Sequence, residues 1–239
     1  MTSKLLKMLF PEKYTCVICD DEVFNKYSIC KSCLKSLEYL TGKTCIHCSD
    51  PLISMGDYCK RCKGKVFYYD RAIAPFVFDG KIKGIIHGLK YGNKKYLAEP
   101  LAIFMADKYT NEKLFADLII PVPLCSRRLN ERGYNQSLLL ANAFGKIKKI
   151  KVDADAFIRI KETPPQTNLD FMERQSNLVN AFKVLNKKLV KGKSILLIDD
   201  VFTTGATATE CAKMLKKAGA SCVYVLTVAH TNKSQENFD

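Results

Sequence analysis

The sequence predicts an α/β fold, a parallel sheet flanked by helices, with a small cysteine-held module ahead of it. Three observations carry that expectation. Eight of the eleven cysteines fall early in the chain as four Cys-x-x-Cys pairs. From Val66 onward, short apolar runs alternate with stretches of helical period. Late in the chain, an apolar run leads through two aspartates into Thr-Thr-Gly-Ala-Thr and then a helical pattern.

Size and charge bound the rest. The 239 residues suit one domain plus a small module, and 47% hydrophobic content excludes a disordered chain. No run approaches the ~18–20 apolar residues of a membrane span. Residues 1–11 are expected to form a short amphipathic helix docked on the protein. The run there is broken by Lys7 and meets no small-residue cleavage site, so a signal peptide is not expected. A formal net charge of +14 fits an anionic partner or a lysine-rich solvated surface. An odd cysteine total without a secretory signal argues against a disulfide framework. The expected location is the cytoplasm, with peripheral attachment at the inner membrane face as a variant.

Residues 12–65 have few aliphatic runs and cannot build a core unaided. The pairs Cys16/Cys19, Cys30/Cys33, Cys45/Cys48 and Cys59/Cys62 supply the missing restraint. Two residues between cysteines let one tight turn aim both sulfurs at one ion, and two such turns complete a four-thiolate site. Thiolates select zinc or an iron–sulfur centre over hard cations. Two structural zinc ions are expected, in a double zinc ribbon: Cys16, Cys19, Cys30 and Cys33 on one, then Cys45, Cys48, Cys59 and Cys62 on the other. Spacing alone leaves an interleaved pairing open. His47 is expected on the surface of its knuckle, and Cys125, Cys211 and Cys222 as small core residues.

Residues 66–239 alternate strand and helix patterns. Arg71 to Phe78 is strand-like. Lys81 to Tyr91 places Ile82, Ile85, Ile86 and Leu89 on one helical face. Tyr96 to Tyr109 is a second helix, Leu118 to Val122 a buried strand and Asn135 to Phe144 a third helix. Phe157 to Ile160 and Ala181 to Val184 are strands on either side of a polar segment, for which a mobile lid and a plain surface loop are both open. Ile195 to Ile198 is a buried strand, Ala206 to Lys217 a helix and Cys222 to Val228 the last strand. Such alternation implies a parallel sheet with right-handed crossovers.

The segment Ile195-Leu-Leu-Ile-Asp-Asp-Val-Phe-Thr-Thr-Gly-Ala-Thr207 is the strongest candidate site. Its carboxylates, Asp199 and Asp200, follow a buried strand at the edge where parallel sheets bind ligands. Backbone N–H groups at a helix N-terminus and threonine hydroxyls form an anion nest. Gly205 allows close approach of a phosphate. Adjacent carboxylates suit a sugar diol and a phosphate-bound Mg²⁺. The site should therefore take a group with both a phosphate and a ribose. Upstream, Arg127, Arg128 and Arg132 leave the strand at 118–122 in what reads as a loop, and arginines there suit a polyanion such as diphosphate. Lys81, Lys83, Lys90, Lys94 and Lys95, interleaved with Tyr91 and Tyr96, fit a phosphate track with stacking platforms for single-stranded DNA. A solvated lysine face explains that stretch equally well.

The loop resembles the signature of type I phosphoribosyltransferases. That resemblance implies binding of 5-phosphoribosyl 1-diphosphate (PRPP) with Mg²⁺ along Asp199, Asp200, Val201, Phe202, Thr203, Thr204, Gly205, Ala206 and Thr207, with Asp199 and Asp200 facing the ribose hydroxyls and Thr203 to Thr207 holding the 5-phosphate. Asp199, Asp200, Arg127 and Arg132 are its candidate catalytic residues. With the cysteine pairs, Asp79-Gly80, Leu89-Lys-Tyr-Gly92 and the arginine segment, residues ~12–230 resemble the ComF family. The family implies natural transformation: handling of incoming single-stranded DNA, alongside other competence proteins such as a DNA-translocating helicase. Two alternatives stand beside it, an active phosphoribosyltransferase with an unknown acceptor and a PRPP-sensing regulator without catalysis. The diphosphate-loop position carries Pro121-Val-Pro-Leu-Cys-Ser126 in place of the glycine-rich turn of many catalytic relatives.

Overall fold

The computed structural model describes residues 14–52, 56–162 and 178–231. The expected helix at 1–11 lies outside the described residues, as do residues 163–177 of the polar segment between the two expected strands.

The element order starts in the cysteine module with β1 (Tyr14–Thr15), β2 (Glu22–Val23) and α1 (Lys31–Lys35). Next come β3 (Arg71–Ile73), β4 (Phe76–Val77), α2 (Gly80–Tyr91), a 3₁₀ turn at Lys95–Leu97 and α3 (Ala98–Asn111). Then follow β5 (Leu118–Pro121), α4 (Ser126–Arg132), α5 (Gln136–Lys148), β6 (Phe157–Arg159) and β7 (Phe182–Val184). The last elements are α6 (Lys187–Val190), β8 (Ser194–Phe202), α7 (Ala206–Lys217) and β9 (Cys222–His230).

The main sheet runs β3-β9-β8-β5, with β4 also on β9, and every pairing in it is parallel. Strand β8 alternates between two cores. Leu196 and Ile198 join α2, α3 and α5 on one face, while Ile195 and Leu197 join α7 and the β6–β7 hairpin on the other. Strands buried on both faces are continuously apolar, which is why 195–198 carries no polar residue. Among the described residues, no helix is long and apolar enough to cross a membrane.

Four local differences from the sequence reading have physical reasons. The strand at 71–78 is broken in two, because Pro75 offers no N–H to the ladder; its carbonyl instead accepts from Leu40 N–H. Strand β8 runs on to Phe202, so both aspartates stay in the sheet, Asp199 opposite Thr227. The arginine segment is the helix α4, stopped by Gly133 at φ 72°, as left-handed glycines end helices. Cys125 and Cys211 are buried as expected, but Cys222 is only half-buried.

Candidate functional site

Strand β8 delivers Asp199 and Asp200 to the C-terminal edge of the sheet, and the chain turns through Thr203 and Thr204 into α7. Gly205 makes the turn at φ 78°. A Cβ there would lie 2.7 Å from the Phe202 ring, so only glycine fits. The first turn of α7 leaves its N–H groups without helical acceptors; that of Ala206 donates to the Thr204 hydroxyl at 3.4 Å, and Asp199, Thr203 and Thr207 help to line a small cavity beside the turn.

Each carboxylate has a partner from another element. The Ser137 hydroxyl, in the first turn of α5, donates to Asp199 Oδ1 at 2.8 Å. Lys90, near the end of α2, places Nζ 2.8 Å from Asp200 Oδ1. Asp200 Oδ2 is buried without a hydrogen-bond partner. A buried carboxylate oxygen with no donor fits a ligand hydroxyl or a cation. Burial first, and then the Asp200 charge, push the Asp199 carboxyl up to about 7, against the pull of Ser137 and Lys90.

The arginines separate. Arg132 Nη1 donates to Gln136 Oε1 at 2.7 Å, and its guanidinium lies 4.8 Å over the Tyr91 ring. Tyr91 is 64% exposed. This unit adjoins the carboxylates on both sides: Tyr91 follows Lys90, and Gln136 precedes Ser137. Arg127 faces acids instead, 3.9 Å from Glu131, while its N–H donates to Glu162. Among the lysines assigned to a phosphate track, Lys90 is turned in on Asp200. Lys81 Nζ lies 3.5 Å from Cys33 Sγ, and Lys95 Nζ lies 4.8 Å over Tyr134. Lys83 and Lys94 are exposed.

The cysteines gather as two tetrads, Cys16/Cys19/Cys30/Cys33 and Cys45/Cys48/Cys59/Cys62, the sulfurs of each within 4.8 Å of one another. Pairing is therefore sequential and not interleaved. Cys19 and Cys30 sulfurs lie 3.6 Å apart, as do those of Cys48 and Cys59. A tetrahedral ion with ~2.3 Å bonds to sulfur needs about 3.8 Å. Four thiolates at that spacing fit zinc and leave no open ligand position. His47 lies outside both tetrads and is half-buried: its ring stacks on Phe67 at 4.2 Å, and its Nδ1 is buried.

The sequence reading named the carboxylates, the loop and the tetrads, and the structure gathers the tetrads as expected. That reading missed Ser137, Gln136 and the inward turn of Lys90, for which no local pattern exists.

A family model described as a double zinc ribbon domain matches residues 5–63, and one described as a phosphoribosyl transferase domain matches residues 135–239. DNA utilization protein YhgH of Salmonella typhimurium is 35% identical over 153 residues, 62% of this chain and 66% of that protein. Competence protein F of Haemophilus influenzae is 33% identical over 61% of this chain and 66% of its own length. Competence protein ComFC of Streptococcus pneumoniae is 27% identical over 63% and 64%. The chain thus spans just under two thirds of the length of these relatives.

Proposed function

We propose, for a chain that belongs to the ComF family of competence proteins, a role in handling single-stranded DNA during natural transformation, with a PRPP-type ligand at the loop between β8 and α7. The supporting observation is one adjacency. An anion-binding loop with two carboxylates lies beside an exposed cation–aromatic unit, Arg132 on Tyr91. The first suits a ribose phosphate, and the second suits a stacked base next to a backbone phosphate.

In this reading, Thr203 to Thr207 receive the 5-phosphate. Asp199 and Asp200 accept from the ribose hydroxyls, and the unpartnered Asp200 Oδ2 is where a ligand hydroxyl or phosphate-bound Mg²⁺ meets the protein. Lys83 and Lys94, with Tyr91 and Tyr96, form the DNA-facing surface. The names of the relatives, a DNA utilization protein and competence proteins, agree with it.

A second reading, phosphoribosyl transfer, would use Arg132, held by Gln136 and Tyr91, as the cation that departing diphosphate needs. One paired experiment separates the two and also tests a purely regulatory ligand. Binding of a fluorescent single-stranded oligonucleotide is measured with and without PRPP–Mg²⁺, on wild type and Asp199→Ala, with diphosphate release followed in the same samples. The proposal expects DNA binding by both proteins and PRPP binding by wild type alone. Diphosphate release with some acceptor in a panel of bases and amines would install the transferase. PRPP that shifts DNA affinity without release would make the ligand a regulator. Absence of DNA binding would sink the principal reading.

A further inference from the structure

The two cysteine tetrads sit on opposite faces of the sheet. The first packs with α2 and α3: Cys16 and Cys33 share a core with Ile86 and Phe104, and Tyr27 donates to Asp107 on α3 at 3.0 Å. The second packs under the β8–α7 loop: Cys45, Cys48 and Cys62 share a core with Tyr69, Phe202 and Ala206.

The contacts of the second tetrad reach the loop by two routes. In one, the Tyr69 hydroxyl donates to the His47 carbonyl, inside the Cys45-x-x-Cys48 turn, at 2.8 Å. The same Tyr69 sets its ring edge-on to Phe202 at 6.2 Å, and its oxygen lies 3.3 Å from where a Cβ on Gly205 would be. In the other, Asp50, 2% exposed and two residues past Cys48, takes the Arg61 guanidinium on one oxygen and His230 Nε2 at 2.5 Å on the other. His230 ends β9 directly opposite Phe202, with ring centroids 5.7 Å apart. Phe202 and Gly205 are thus held from two sides by groups whose positions depend on the Cys45–Cys48 turn. The knuckle itself is tied to the sheet by Ala72 N–H on the Ile46 carbonyl and the Ser49 hydroxyl on the Ala72 carbonyl, each at 2.8 Å.

We infer that the metal-loaded second tetrad, and not the first, holds the β8–α7 loop in its anion-binding conformation, with Tyr69 and the Asp50–His230 pair as positioning residues. The ligand part of this inference rests on the ribose-phosphate reading above; the conformational part does not. A four-thiolate site has no catalytic position, so its influence on the ligand is transmitted only through packing. Closed-loop geometry is the quantity it sets, because an anion nest binds only when successive N–H groups converge.

The test uses the full zinc-loaded chain and the variant Tyr69→Phe, which keeps the ring and removes one hydroxyl. Tyr27→Phe makes the same change at the first tetrad. Amide hydrogen exchange of residues 200–209 is measured in both, with zinc content and melting temperature as controls. Exchange across that segment should quicken in Tyr69→Phe and stay at the wild-type rate in Tyr27→Phe, with two zinc ions retained in each. PRPP–Mg²⁺ affinity should fall about fivefold in the first variant only, the worth of one net hydrogen bond. Asp50→Asn, through the other route, should reproduce the exchange change. Unaltered loop exchange in both Tyr69→Phe and Asp50→Asn overturns the inference, as does an equal change in Tyr27→Phe. If wild type binds no PRPP, the ribose-phosphate reading fails, while the exchange comparison still decides the role of the second tetrad.

Discussion

Asp200 is 4% exposed, and Lys90 meets its charge across 2.8 Å. Removing the ammonium strands a buried carboxylate, the costlier way to break such a pair. Lys90→Ala is expected to lower stability by about 1–3 kcal/mol, and adding Asp200→Asn to recover part of the loss. Chemical denaturation of the four forms measures the coupling, and strictly additive effects would contradict the pair. Asp199 makes a different prediction, from its pKa of about 7 against an ordinary 3.8. The folded state binds that proton more tightly, so the stability it contributes is complete below 3.8 and lost as pH rises through about 7. Asp199→Asn should therefore gain on wild type between pH 4 and 7, by about 2–4 °C in Tm for each kcal/mol. A constant Tm difference across that range would refute the shift. Both aspartates were legible in the sequence because their neighbours in the chain announce the loop. Lys90 was not, since a lysine on an amphipathic helix looks the same whether it faces water or turns in on a distant carboxylate.

At the scale of elements, the strand and helix patterns carried the sheet well where one periodicity held. The apolar run at 195–198 and the helix at 206–217 are where the pattern put them. Helix α4 buries no residue, so its sequence carries no apolar period and reads as a charged loop, although Gly133 marks a helix stop. Left-handed glycines now split into two kinds. Gly133, at φ 72°, has open space around its missing Cβ, whereas Gly205, at φ 78°, faces the Phe202 ring at 2.7 Å. Gly133→Ala thus pays only the backbone strain of about 1–2 kcal/mol. Gly205→Ala adds a clash with a ring held by Tyr69 and His230, so it should cost more than Gly133→Ala and open the loop. Its PRPP–Mg²⁺ affinity should drop about tenfold or more. Calorimetric titration of the variant checks this, and wild-type affinity would show that the loop tolerates displacement.

For the whole molecule, spacing told which cysteines cooperate but not which pairs share an ion, because connectivity is a property of the folded chain. The same limit applies to charge. A net +14 fits a polyanionic partner or a solvated lysine surface without saying where either lies, and the structure redistributes the five lysines first grouped together. Lys90 is spent on Asp200, while among the described residues Lys81, Lys83, Lys94 and Lys95 have no carboxylate partner. If Lys83 and Lys94, the two that the fold leaves exposed and facing no ring or thiol, contact DNA phosphates, counterion release gives log K against log salt a slope of about −0.7 per contact, near −1.4 from this pair. Reversing Lys83 and Lys94 to Glu should flatten that slope by at least about 1.4 units and weaken all oligonucleotide sequences alike, since phosphate contacts carry no base information. Replacing Tyr91 by Ala should act differently, lowering affinity by about 1–3 kcal/mol while leaving the slope in place, because stacking releases no counterions. Oligonucleotide titrations at several salt concentrations separate the two effects. A slope unchanged in the Lys83/Lys94 variant would move the DNA surface off α2, to another part of a chain whose positive charge is spread well beyond it.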